Sequence, residues 1–202
     1  MGRSVDLEWD EWNPGLDTDT MTLGGVLETM PANNSDDVPE IIRRYENPES
    51  PDALPGAISL ERHDCLHVLL GRGLHVQDEA FIIGATMGSA SDISDEALDL
   101  FVKVSTEEYP EHWRFSSEHI QSFRLGVGFS LDNLPNRNLH EIPLEKEPWQ
   151  SRTVSSIRHE IGISKYELRA YFRRDELLVP GSKATRRLDT SAHRTDRALN
   201  RR

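Results

Sequence analysis

His63 and His67 lie four residues apart, with Asp64 beside the first, and Glu79 follows the second after eleven intervening residues. On a helix, side chains at that spacing share a face, with Cβ atoms about 6 Å apart. Two imidazoles placed so can grip one divalent ion. Asp64 borders the same face. It can be a ligand, a base, or the outer partner that orients a ligand. Glu79 is too far along to sit on the same turns. Gly71-Arg72-Gly73 interrupts the helix, and a second helix running back would present Glu79 to the same point. The ligand set suits zinc, iron or manganese and does not choose among them.

Two helices must do this positioning. From Ala57 to Leu70 the pattern is helical, with Ser59 a candidate cap. Gln77 to Ala90 is apolar on nearly all sides, the mark of a buried helix. Glu79 opens that segment. Buried carboxylates are rare unless paired or metal-bound, which gives Glu79 a cationic partner on separate grounds. His75, between the two helices, is a candidate for the mouth of the site. Cys65 reads as a small buried apolar residue.

Further helices are expected around Ile41, Ile42 and Tyr45 with Asp36 or Asp37 as cap, then over Ser94–Val104, from Ser116 or Ser117 to Leu131, over Ser151–Ile161, and after Ser164, which opens a capping box with Glu167. Gly126 and Gly128 cost the third of these about 1 kcal/mol each in propensity. Close approach of another helix, or of a lipid tail, would explain them. No segment alternates as a strand would, so the fold class is all-α: a single compact multi-helix domain with flexible termini.

The pattern His63-Asp64-x-x-His67, eleven residues, Glu79 resembles the hallmark of the coenzyme Q biosynthesis protein four family, and Leu69-Leu70-Gly71 is also like that family. The likeness runs from Val38 to about Pro180. It implies a mostly helical fold, one divalent metal (zinc or iron) on His63, Asp64, His67 and Glu79, and a prenyl-lipid groove. It further implies a role in ubiquinone assembly at a membrane surface, with oxidative removal of the ring carboxylate from a prenylated hydroxybenzoate. Asp64 is then also the catalytic, proton-transferring candidate. Leu66, Phe81, Ile82, Phe123 and Phe129 are candidates to line the lipid channel, with ordinary core as their other reading. The partners implied are a polyprenyl aromatic lipid and other quinone-biosynthesis proteins, with peripheral membrane contact; a homodimer is compatible. The same resemblance also fits a non-catalytic organiser that holds the lipid for other enzymes.

Two unrelated classes compete. One is a metallohydrolase, in which Asp64 stands where a zincin helix has its Glu. The other is a di-iron site, for which Asp64-x-x-His67 is one half and the chain offers no second copy.

A net charge of -12 argues against general nucleic-acid binding, since phosphate contacts need positive surface. One cysteine excludes an internal disulfide. No apolar run approaches the length of about 20 residues that spans a bilayer. The acidic start, with Asp6, Glu8, Asp10 and Glu11, is unlike a signal peptide. The expected location is cytoplasmic or peripheral on the inner (plasma) membrane. Three segments are expected: 1–36 an acidic flexible tail, with Trp9 and Trp12 free to dock; 37–180 the helical metal- and lipid-binding domain; and 181–202 an Arg-rich disordered tail suited to anionic lipid or an acidic partner.

Overall fold

Most of the helices begin behind a hydroxyl side chain that caps their first turn. In the computed structural model, residues 11–31, 38–134 and 138–185 are described. They fold into α1 (Leu23–Leu27), α2 (Glu40–Glu46), α3 (Leu60–Leu70), α4 (Val76–Ser89), α5 (Asp95–Lys103), α6 (Ser117–Asn133), α7 (Val154–Ile161) and α8 (Lys165–Leu178). A single π-helical turn (Val104–Glu108) follows α5. Ser59, Ser94, Ser116, Thr153 and Ser164 each accept a backbone N–H from the first turn of their helix. The described residues contain no strand; Thr22 and Thr153 make an isolated bridge. The fold is all-α. No described helix is long and apolar enough to cross a membrane.

Helices α4 and α6 pack against each other at the centre. Their approach rests on glycine. A Cβ at Gly84 of α4 would collide with the Phe123 carbonyl, and one at Gly126 of α6 with the Phe81 carbonyl. Gly126 is therefore explained by helix packing. Gly128 has only the Tyr171 hydroxyl near its missing Cβ, at 3.9 Å.

The lipid-lining candidates are core residues. Leu66, Phe81, Ile82 and Phe129 belong to the main core, and Phe123 stacks on Phe101 at 4.6 Å in a second core. All five are at most 1% exposed. All five thus pack as core, the other reading the sequence offered for them, and Phe123 also reaches the wall of a cleft with Leu98, Val102 and Val127.

The expected flexible tail 1–36 is corrected for its described part. Trp12, Leu16, Leu23 and Val26 are buried in the main core, and α1 is capped by Thr22. Backbone bonds tie Leu23 to Arg152 and Gly24 to Gln150, and Asp19 pairs with both Arg158 and Lys165. Four buried apolar side chains and an ion-paired carboxylate outweigh the segment's polar composition. Trp9, Asp36 and Asp37 lie outside the described residues, and α2 begins after Pro39 with no side-chain cap. At the other end, Ala184 and Thr185 are buried and Ser182 donates to Gln77, so packing continues past Pro180. Arg186, Arg187, Arg194, Arg197, Arg201 and Arg202 lie outside the described residues.

Candidate metal centre

Helix α3 carries both imidazoles, one turn apart, with ring centroids 4.8 Å apart and planes at 88°. It stops at Gly71, whose φ of 70° favours glycine. After the Gly71–His75 turn, α4 begins at Val76, and its first turn brings Glu79 back to the histidines. The Glu79 N–H donates to the His75 carbonyl at 2.9 Å, so the expected mouth residue starts the helix that carries the carboxylate.

The ligand atoms of His63, His67 and Glu79 all lie within 4.8 Å of one another. His63 Nε2 stands 3.3 Å from one Glu79 oxygen, and His67 Nε2 stands 3.3 Å from the other. The carboxylate thus faces both rings at once. His63 Nε2 and both ring nitrogens of His67 are buried with no aligned hydrogen bond among the described residues. Buried polar atoms left so are costly. A cation held between the three side chains would take up the lone pairs. Two imidazoles and a carboxylate are also a donor set that zinc and non-haem iron both accept. The residues fit a divalent ion.

Electrostatics agree with this. Burial pushes His63 down to about 4, which keeps it neutral as a ligand must be. Burial also opposes charge on His67, but the facing Glu79 outweighs it and raises the His67 pKa. Glu79 is lowered: burial acts to raise it, and the two histidines win.

Asp64 does not join the three. One residue on from His63, it is turned about 100° around the helix axis and lines a neighbouring cleft of about 270 Å³ with Glu61, Cys65, Glu145, Leu27, Met30 and others. Its place as a fourth ligand is not part of the cluster; burial lifts its carboxyl to about 6. Cys65 is fully buried, and burial pushes its thiol up to about 12, in keeping with a packing role.

Three ionic clamps hold these helices, and spacing gave no sign of any of them. Arg72 is wholly buried. Its guanidinium lies 3.8 Å from the ring centres of both Phe81 and Phe172, and it pairs with Asp175 at 2.6 Å. Asp175 also accepts from Gln77 and Ser122. This cluster fixes the turn and the start of α4, just before Glu79. Arg158 donates to the Val68 and Leu69 carbonyls at the end of α3, and also to the Leu16 carbonyl and to Asp19. A cation there satisfies carbonyls that a helix end leaves open. On the other side, Arg62 makes a two-pronged pair with Glu145.

No family model matches this chain, and neither a curated protein nor a solved structure matches it.

Proposed function

We propose that the protein holds one divalent metal, zinc or iron, on His63, His67 and Glu79, and that it acts on a prenylated hydroxybenzoate intermediate of quinone biosynthesis. One observation carries this. The three side chains whose spacing resembles the coenzyme Q biosynthesis protein four family converge to within 4.8 Å, though they stand on two helices joined by a turn. Three protein ligands leave room for a further ligand, the arrangement of a catalytic rather than a closed structural site. The metal when bound would supply Lewis acidity and, if iron, access to oxygen chemistry, which replacing a ring carboxylate by hydroxyl requires. This chain's own residues would hold the ion, and Asp64, whose carboxyl burial lifts to about 6, is a protonatable group at the wall of a cleft beside α3.

A second reading, which the same resemblance allows, is a non-catalytic organiser that holds the prenyl lipid for other enzymes. The chain would then organise quinone-pathway partners at a membrane surface, with the metal structural. The experiment incubates iron- or zinc-loaded protein with a prenylated hydroxybenzoate under oxygen and follows the ring by mass spectrometry. Loss of the carboxylate that disappears in His67→Ala supports the enzyme. Unchanged substrate that co-purifies with the protein supports the organiser. Neither turnover nor binding refutes the quinone assignment and leaves the metal centre to be explained otherwise.

A further inference from the structure

We propose that Trp12 is a positioning residue of the metal centre: its indole edge fixes the ring of His67, which makes the N-terminal segment part of the site. The inference rests on His63, His67 and Glu79 being metal ligands.

The site is closed on one side only. His67 is 1% exposed, while the side chains of His63 and Glu79 are 16% and 26% exposed. Trp12, itself 3% exposed, packs on the closed side, its ring 6.4 Å from that of His67 and at 73° to it. A metal-bound histidine ordinarily donates its other ring nitrogen to a carboxylate or carbonyl, and that bond sets the ring's rotation. His67 has no such partner on Nδ1 among the described residues. The torsion that turns an imidazole is intrinsically broad. The ring must therefore be held by packing, and two edge-on aromatic contacts supply it: His63 from the same helix and Trp12 from the N-terminal segment.

Trp12 is itself anchored. Its Nε1 donates to Thr29 Oγ1 at 3.0 Å, and that hydroxyl donates to the Val26 carbonyl at 2.7 Å. Four residues after Trp12, the Leu16 carbonyl accepts from Arg158, which also holds the last carbonyls of the His67 helix. The segment is thus tied to α3 at two points, over His67 and at the helix end.

The test uses the full-length chain and cobalt(II) alone as probe, reading affinity by titration and ligand geometry from the visible d–d bands. Trp12→Ala is expected to weaken cobalt binding roughly 10-fold or more and to alter the bands, while Trp12→Phe, which keeps an aromatic edge, stays within about threefold of wild type. If Trp12→Ala does not fold, Trp12→Leu takes its place, since it fills space without offering an edge; the same loss is expected. Wild-type affinity and bands in the Ala or Leu variant, with the wild type binding cobalt, overturn the role of Trp12 and leave the metal centre standing. A folded wild type that binds no cobalt overturns the metal centre and this inference with it.

Discussion

His67 Nε2 and Glu79 Oε1 face each other at 3.3 Å across two helices, without the alignment of a hydrogen bond. The pair makes the strongest case for an ion between them. It also sets the pH behaviour of binding. Protons compete with a metal for an imidazole. Since His63 is held down to about 4 and Glu79 is lowered, His67, raised by Glu79 against its burial, is the ligand that holds its proton most strongly and must give it up to a metal. Metal affinity is expected to fall as pH drops through the His67 titration. Calorimetry in buffers of different ionisation enthalpy should show about one proton released per metal at pH 6. An affinity that does not change between pH 8 and pH 5.5 would contradict this.

Metal should also stabilise the fold. A ligand that binds only the folded chain adds about 2.7 kcal/mol at a hundredfold excess over its dissociation constant. Thermal unfolding with and without zinc is expected to show a higher midpoint in wild type and no shift in His63→Ala or Glu79→Ala.

Glu46 gives a second pH signature. Its carboxyl is pushed up to about 7, mainly by burial, partly by the charge of Glu79, and against the opposing hydroxyl of Tyr109. A folded pKa raised above the unfolded value means the folded chain binds more protons, so stability falls as pH rises. The loss begins above about 4.5, the ordinary value, and is complete above about 7. A shift of this size amounts to on the order of 3 kcal/mol. Glu46→Gln should flatten the dependence of urea-unfolding free energy on pH between 5 and 8. A slope equal to wild type would rule out Glu46 as its source.

Asp175 holds Arg72 inside the core, and both are 0% exposed. Removing one partner of a buried pair strands the other charge, at a cost of about 3–5 kcal/mol. Asp175→Ala is expected to lower stability by that order, and also to weaken metal binding, because Gln77 at the start of α4 loses its acceptor. Chemical denaturation alongside zinc titration checks both.

Gly126 and Gly128 should respond in opposite directions to the same change. Gly126→Ala drives a methyl into the Phe81 carbonyl and should cost about 1–3 kcal/mol through overpacking. Gly128→Ala meets nothing closer than 3.9 Å and should gain up to about 1 kcal/mol from helix propensity. Equilibrium unfolding of the two variants measures the contrast.

The convergence of His63, His67 and Glu79 was legible in the sequence because each part of it is local. His63 and His67 share a helix face by spacing alone, and Gly71 marks the turn that returns Glu79. The helices were legible for the same reason, through Ser59 and Ser164 as caps and through starts expected at Ser94 and at Ser116 or Ser117. Asp64 shows the limit of spacing: adjacent in sequence to a ligand, it points into another cleft because each helical step turns about 100°. Phe81 and Ile82 show another, since an apolar side chain reads the same whether it will meet lipid or core. The folded N-terminal segment was hidden in an acidic, glycine- and threonine-rich stretch. Asp19 finds its cations at Arg158 and Lys165, 139 and 146 residues away, and no local pattern announces pairs at that range.

Elemental analysis of the purified full-length protein, wild type beside His67→Ala, tests the metal centre most directly. About one zinc or iron per folded wild-type chain, and little in the variant, is the expected result. A folded wild type that carries no metal after exposure to both ions, or a His67→Ala variant that carries as much as wild type, would contradict it.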